Sequence, residues 1–111
     1  KSKIMLVKLL KEIKSQGKSI VGYGASSKGT IVLNYCNIGN DMIEYITDTT
    51  PTKQGLYSPG MHIPIISPEE FYKNTPDYAL LMVWNYAKEI KEKEKDKNVK
   101  FIVHIPYAKV I

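Results

Sequence analysis

The chain contains no arginine and a single cysteine, Cys36. With one cysteine no internal disulfide can form, so the fold must depend on the burial of apolar side chains. The absence of disulfides is typical of a reducing compartment, and we expect a cytoplasmic location. The two histidines, His62 and His104, lie far apart in the sequence and form no zinc-ligand spacing with the cysteine, so we expect no metal site.

The lack of arginine also bears on nucleic acids, because arginine makes most bidentate contacts with bases and phosphates. All sixteen basic residues are lysines, and most fall within residues 1–14 and 88–100, where they are interleaved with apolar or acidic residues. Solvated helix faces explain these lysines and the net charge of +5 better than a nucleic-acid surface does. We expect no nucleic-acid partner.

Long apolar runs are missing as well. No stretch approaches the roughly 20 apolar residues that a membrane span needs, and the N-terminus lacks the pattern of a signal peptide, so we expect no membrane partner. The 111 residues suffice for one domain with a single core. Because the chain begins at Lys1 without an initiator methionine, we expect it to be part of a longer protein.

Apolar spacing predicts alternating helices and strands. Leu6, Leu9, Leu10 and Ile13 recur at helical spacing, and Gly17 ends that helix. Strands are predicted in "KSIVGYG", "MIEYIT" (residues 42–47), "IPIIS", "YALLMVW" and "KFIVHIP". Residues 49–62, rich in Thr, Pro and Gly, are predicted to form a loop, and the tail "YAKVI" stays unassigned.

Three further helices are predicted between the strands. Their N-caps are expected at Ser26 or Ser27, at Ser67, and at Asn85. The first runs to Gly39, and the second has Pro68 at its first position. The third, "YAKEIKEKEKDK", has no apolar face beyond Ile90, so we expect its end to be solvated.

Strands that alternate with helices imply a parallel sheet with right-handed crossovers and a ligand crevice at the carboxyl ends of the strands. The predicted fold class is therefore α/β. We expect a small Rossmann-like domain whose parallel sheet has about four to five strands and carries helices on both faces.

The segment "IVGYGASSKG", residues 20–29, is close to the dinucleotide-binding pattern G-x-G-x-x-G. Gly22 and Gly24 fit its first two positions, but Ser27 stands at the third and Gly29 comes two residues later. A helix that begins here still offers free N–H groups and a positive dipole end to an anion. Added donors are Ser26, Ser27 and Lys28. The alternative is a tight turn that needs glycine only for its shape.

Other candidate ligand contacts follow the predicted strands. Asp48 lies 24 residues after Gly24, near the position of the acidic residue that holds ribose hydroxyls in NAD-type folds, or it simply starts a turn. Trp84 could stack on a ring or pack in the core, and Asn85 could bind a ligand or cap a helix. His104 lies near the carboxyl end of the last strand, as a ligand contact or a hydrogen-bonded structural residue. No spacing indicates a catalytic residue in this chain.

Five blocks occur in order along the chain: "GYGASSKG", "NYCNIG", "ITDTTPTKQGLYSPGMHIPI", "DYALLMVWNYAKEI" and "FIVHIP". Together they resemble the C-terminal domain of the sugar C-methyltransferase family, whose members act on nucleotide-linked deoxysugars. The resemblance covers nearly the whole chain, from about Gly22 to Pro106.

The resemblance implies a larger enzyme with an N-terminal zinc-binding part, a central S-adenosylmethionine-binding domain with the catalytic residues, and this C-terminal part, which helps to hold the nucleotide-sugar. In such an enzyme a base removes a proton next to the keto group of the sugar, and the carbanion or enolate takes the methyl group. The partners implied are a nucleotide-linked sugar and the upstream domain of the same chain. The isolated domain is expected to be inactive and to bind no cofactor of its own.

The family pattern carries over to particular positions of this sequence, namely Gly22, Gly24, Ala25, Ser26, Lys28, Gly29, Asp48, Lys53, Gln54, Gly55, Gly60, His62, Pro64, Trp84 and Asn85. The sequence departs from the pattern at Thr49 and Thr50, where the family often has a basic or amide residue. Two other functions stay open, namely a stand-alone module that binds an NAD-type dinucleotide and a structural domain that mediates dimer contacts.

Overall fold

The computed structural model of the chain describes residues 2–104 and 108–111. Within these residues the helices are α1 (Ser2–Ser15), α2 (Ser27–Tyr35), α3 (Glu69–Lys73) and α4 (Ala87–Lys93), with a 3₁₀ turn at Trp84–Tyr86. The strands are β1 (Ile20–Tyr23), β2 (Ile46–Thr47), β3 (Ile65–Ile66), β4 (Tyr78–Leu81), β5 (Lys100–Val103) and β6 (Lys109–Val110).

The strands form one sheet in the order β3-β2-β1-β4-β5-β6. Strands β1 to β5 pair in parallel, and β6 pairs antiparallel with β5 at one edge. The predicted α/β class and Rossmann-like fold are therefore confirmed, with one addition. The unassigned tail supplies an edge strand, so the sheet of the described residues has six strands rather than the four to five expected.

Side chains of the strands alternate between two apolar layers. Ile20 and Leu80 face one layer, whereas Val21 and Leu81 face the other, as the period of two in a strand requires. The first layer is covered by buried residues of α1 and α2, namely Leu6, Leu10, Ile13 and Leu33. The second is covered by α3 and α4 through Phe71 and Ile90. The helices thus lie on both faces of the sheet.

Helix α2 ends four residues before the predicted stop at Gly39. Asn37 adopts the left-handed conformation, with φ of 56°. Its amide donates to the carbonyl of Asn34, and the amide of Ile38 donates to the carbonyl of Leu33. This is the Schellman pattern that ends many helices, with asparagine in the position that glycine usually takes.

Several strands are shorter than predicted, β2 and β4 among them. Strand β2 starts at Ile46 rather than Met42, because the amides of Met42 and Ile43 both donate to the carbonyl of Gly39 in a turn. Strand β4 ends at Leu81, because the carbonyl of Met82 accepts the Ser26 hydroxyl instead of an amide of a neighbouring strand. Of the last predicted strand, residues 105 and 106 lie outside the described residues.

Two predicted helix caps are wrong. Helix α3 begins one residue later than expected, so that Pro68 rather than Ser67 occupies the N-cap position. Asn85 lies inside the 3₁₀ turn, and Tyr86 occupies the N-cap position of α4 without a side-chain cap bond. The residues that follow Ile90 are exposed as expected through residue 98, with the exception of Glu94 at the C-cap of α4, which is only 3% exposed.

Within residues 2–104 and 108–111, no helix is long and apolar enough to cross a membrane.

Replacing Leu33 by alanine tests the layer under α1 and α2. Leu33 is fully buried, so we expect the free energy of unfolding to fall by about 2 to 5 kcal/mol in urea denaturation, as is usual for such cavities. Leu56→Ala is the matched control, because Leu56 is 56% exposed and should change the value by less than about 0.5 kcal/mol. Similar losses in the two variants would contradict this packing.

Candidate functional site

The direction of the chain connections reverses between β1 and β4. From β1 the chain passes through helix α2 to β2, which lies on one side of the β1–β4 pair. From β4 it passes through helix α4 to β5, which lies on the other side. In α/β sheets this switch point is where ligands bind, in the crevice beyond the carboxyl ends of the strands. Here the turn 24–26 and the segment 82–86 meet at that place.

Helix α2 is held against the end of β4 by Ser26. The Ser26 hydroxyl accepts the amide of Gly29 at 3.0 Å and donates to the carbonyl of Met82 at 2.6 Å. A Cβ on Gly29 would lie 2.7 Å from the Cβ of Met82, so only glycine allows this approach. The late glycine of the sequence motif therefore serves the close packing of helix against strand.

The first turn of α2 leaves donors facing the crevice. The Ser26 amide donates to the carbonyl of Gly24, and the Gly29 amide donates to the Ser26 hydroxyl. The amides of Ser27 and Lys28 lie between these two, in the first turn of α2, where a helix supplies no acceptor for its amides. Both residues are exposed, so two amides, a hydroxyl and an ammonium group share one helix end.

The first two glycines of the motif have steric roles. Gly24 has φ of 88°, a conformation that other residues adopt only under strain. Gly22 lies inside β1, where an added Cβ would come within 3.0 Å of the Ile46 side chain. For Gly22 the geometry favours the alternative that the sequence left open, a glycine needed for shape alone.

Asp48 ties the end of β2 to the glycine turn. Its carboxylate accepts the amide of Ala25 at 2.7 Å and that of Thr50 at 2.7 Å. Lys53 donates its ammonium group to the carbonyl of Ala25 at 2.7 Å, and Gln54 donates to the carbonyl of Asp48. The carboxylate thus forms the turn that was one of its two predicted roles, and it also anchors the first loop.

The pKa of Asp48 reflects this environment. Partial burial raises the pKa, but the amide hydrogen bonds from Ala25 and Thr50 and the charge of Lys53 together outweigh it. The pKa therefore lies below its ordinary value of 3.8, and the ionised carboxylate is favoured.

Among the described residues, two adjoining clefts open at the carboxyl ends of β1, β2 and β4. The β1–β4 cleft, about 270 Å³, is lined by Ser26, Ser27, Lys28 and residues 82–86. The β1–β2 cleft, about 380 Å³, contains Gly24, Ala25, Asp48 and Lys53 among its lining residues. Ser26 lines both clefts. The fold thus brings most of the sequence-predicted site residues, including Trp84 and Asn85, to the rims of two adjoining cavities.

His104 and His62 are placed differently. The His104 ring lies edge-on to Trp84, with centroids 6.2 Å apart, and burial lowers the pKa of His104. Its Nδ1 is buried and has no hydrogen-bond partner among the described residues. His62 lies in a turn with φ of 56°, is exposed and lines neither cleft.

One polar cluster beside the β1–β2 cleft was missed by sequence reasoning. The buried Glu94 carboxylate accepts the hydroxyl of Tyr23 at 2.5 Å and that of Tyr72 at 2.8 Å. Burial and the Glu94 carboxylate raise the pKa of Tyr23 strongly and that of Tyr72 to about 12. These residues are far apart in the chain, so no local pattern links them.

In the part of the chain that the structure describes, no three His, Cys, Asp or Glu side chains group as a metal site. Comparison with known families matches residues 1–106 to the C-methyltransferase C-terminal domain. The chain belongs to that family. It is also similar to C-methyltransferase NovU of Streptomyces niveus, with 44% identity over 106 residues. This match covers 93% of the chain and 25% of the relative, so the chain spans about a quarter of that protein.

The family resemblance seen in the sequence is therefore confirmed. In this C-methyltransferase C-terminal domain, the hydrogen bonds of Ser26 and Asp48 hold the glycine turn and helix α2 in place. Their effect on the free energy of unfolding can be measured without a ligand.

Replacing Ser26 by alanine tests the cap of α2 in this C-methyltransferase domain. The Gly29 amide and the Met82 carbonyl each lose a partner, so we expect the free energy of unfolding to fall by about 1 to 2 kcal/mol in urea denaturation. Ser27→Ala is the matched control, because the Ser27 hydroxyl forms no hydrogen bond within the described residues and should change the value by less than about 0.5 kcal/mol. Equal losses would contradict the capping role.

The Asp48→Asn variant tests the tie between β2 and the glycine turn through its pH dependence. Because the folded pKa is lowered, the stabilisation by Asp48 is complete above its ordinary value of 3.8 and is lost as the pH falls through the folded pKa. The difference in unfolding free energy between wild type and variant should therefore be largest near neutral pH and shrink below about pH 4.

Urea denaturation at a series of pH values measures this difference. Asp96→Asn removes the same charge from an exposed position, and comparison of the two variants isolates the effect of the hydrogen bonds. A wild-type to Asp48→Asn difference that stays constant with pH would refute the assignment.

Proposed function

We propose that this domain holds the diphosphate of a nucleotide-linked sugar for an S-adenosylmethionine-dependent sugar C-methyltransferase, whose catalytic residues lie in an upstream domain of the same chain. Membership of the C-methyltransferase C-terminal domain family supports the reaction class. The arrangement at the N-terminus of α2 supports the phosphate-binding role.

The observation that carries the proposal is the set of donors at the β1–β4 cleft. The amides of Ser27 and Lys28 have no acceptor within the helix. The positive end of the α2 dipole lies at the same helix end, beside the β1–β4 cleft. The Lys28 ammonium adds a full positive charge at the rim. Such a helix end suits a phosphate group, since the donors are in place before the anion arrives.

The residues of this domain do not fit the methyl donor. S-adenosylmethionine supplies the methyl group in such enzymes, and methyltransferase folds usually carry an acidic residue just before the first glycine cluster. Ser19, Ile20 and Val21 occupy that stretch here. Asp48, the other candidate for ribose hydroxyls, already accepts two amides with its carboxylate. We therefore assign binding of the methyl donor to another part of the enzyme.

The contribution of this domain is then positional. A sugar that is held by its diphosphate loses translational and rotational freedom before the reaction, and such orientation can lower a barrier by several kcal/mol. The turn 24–26 is suited to this role because Asp48 and Lys53 hold it in one conformation.

Replacing Lys28 by alanine tests the phosphate site. We expect dTDP to bind the 111-residue chain, with an affinity that falls about three- to tenfold in the variant because one charge-assisted contact is lost. Isothermal titration calorimetry measures both affinities. Lys11→Ala, which removes an exposed lysine of α1, is the matched control and should bind like the wild type.

The same titrations separate the competing functions. Micromolar binding of NAD without any response to dTDP would favour a dinucleotide-binding module and contradict the proposal. Titrations that stay flat for both, together with self-association of the chain, would favour a structural dimerisation domain.

A further inference from the structure

The outer sides of α1 and α2 expose several large apolar side chains. Ile4 of α1 is 70% exposed, and Ile31 and Tyr35 of α2 are 66% and 71% exposed. Ile31 and Tyr35 are four residues apart on a helix, so their side chains are neighbours. Lys3 links the two helices, because its ammonium nitrogen lies 5.2 Å from the centroid of the Tyr35 ring. Single exposed apolar side chains are common, but a group of them on adjoining helices is typical of a binding surface.

A groove of about 540 Å³, the α1 groove, runs along the same side of α1. Its lining includes the apolar side chains of Ile4 and Val7, the buried Cys36, and the exposed lysines Lys3, Lys8 and Lys11. The α1 groove shares no lining residue with the β1–β4 cleft or the β1–β2 cleft. It is therefore a surface separate from the candidate ligand site.

The α1 groove lacks the features of a small-molecule site. Such sites orient a ligand with a few convergent polar groups. In the part of the chain that the structure describes, the buried polar side-chain atoms without a partner belong to Tyr45, Thr47 and His104, and none of these residues lines the groove. The lining instead extends along α1 from Lys3 to Ser15, roughly 18 Å along the helix axis. A long apolar groove with charged edges fits the surface of another folded domain.

The charge of this side of the domain indicates what that surface carries. Helices α1 and α2 contain five lysines and one acidic residue, Glu12. Helices α3 and α4, on the opposite face of the sheet, contain equal numbers of acidic and basic residues. An apolar partner surface edged with carboxylates would complement the lysines of α1. A second copy of this chain, packed through the same groove, would set lysines against lysines and is disfavoured.

The size of the relative indicates where such a partner comes from. The match covers 25% of the relative, and the family is defined as a C-terminal domain. Under the proposed function, the catalytic part of the enzyme precedes this domain and is joined to it at the start of α1, beside the groove. A partner tethered there is held at a millimolar effective concentration, so weak contacts suffice.

We propose that the α1 groove, together with Ile31 and Tyr35, is the docking surface for the upstream catalytic domain of the same polypeptide, which presents an apolar patch edged with acidic side chains. Docking on this side leaves the two ligand clefts open and fixes their orientation relative to the catalytic domain. The inference rests on the part of the proposed function that places catalysis upstream.

Hydroxyl-radical footprinting tests the docking surface, with oxidation of each side chain measured by mass spectrometry. We expect the oxidation rate of Tyr35 to be at least about threefold lower in the intact enzyme than in the 111-residue chain, because the core of an interface excludes water. Tyr57 is the internal control, since it is 62% exposed and does not line the groove. Its oxidation rate should be the same in both proteins.

A charge reversal at the edge of the groove tests the acidic partner surface. In the intact enzyme, Lys8→Glu should raise the oxidation rate of Tyr35 toward that of the 111-residue chain, because attraction becomes repulsion. Lys8 is exposed, so the 111-residue variant should melt like the wild type. Lys88→Glu is the matched control, because it makes the same change at an exposed position of α4 and should leave the protection of Tyr35 intact.

Equal oxidation of Tyr35 in the intact enzyme and in the 111-residue chain would overturn the inference, and so would equal loss of protection in the two lysine variants. Two further results would assign the surface elsewhere and also overturn it. One is self-association of the 111-residue chain in sedimentation equilibrium that Lys8→Glu abolishes. The other is binding of that chain to phosphatidylserine vesicles that Lys8→Glu abolishes.

The dTDP titrations of the 111-residue chain judge the phosphate site independently. If dTDP binds but Tyr35 is not protected in the intact enzyme, the phosphate-binding role stands and the docking surface is overturned. If Tyr35 is protected but dTDP does not bind, the docking surface stands and the phosphate-binding role is overturned. An intact polypeptide without an upstream domain would overturn both.

Discussion

The candidate site depends on one close approach, between Gly29 in α2 and Met82 at the end of β4. A Cβ at position 29 would lie within 2.7 Å of Met82 atoms, and the Ser26 hydroxyl binds the Met82 carbonyl at the same place. The glycine allows the helix to approach the strand this closely, and the hydrogen bond opposes its displacement. Because of this constraint, the amides of the first turn face the switch point before any anion arrives, and little ordering remains to be done on binding.

A second set of interactions separates the chemistry of the two clefts. The Ala25 amide donates to Asp48 and the Ala25 carbonyl accepts from Lys53, so both backbone polar groups of Ala25 are already hydrogen-bonded on the side of the β1–β2 cleft. The amides of Ser27 and Lys28 lie on the other side of the turn and keep their donor capacity. One loop thus presents free amide donors to one cleft and hydrogen-bonded polar groups to the other.

Local patterns predicted the parts of the fold that depend on neighbours in sequence. The helical spacing of apolar residues 6, 9, 10 and 13 predicted α1, and Ser26 was one of the two serines predicted to cap α2. The buried carboxylate of Glu94 was not predicted, because its tyrosine partners lie 22 and 71 residues away. The antiparallel edge strand β6 was also missed, since it has only two residues, which are too few to show an apolar period.

By itself the sequence determined the α/β class, the family and the helix end at the glycine turn, because these follow from apolar periodicity, capping residues and ordered blocks. Only the tertiary structure decided which donors remain free. Asp48 could have pointed into a ligand site or into a turn, and its distance from the Ala25 amide depends on the register of β1 with β2. The pairing of strands brings together residues that are distant in sequence, and no local pattern records which polar groups then neutralise one another.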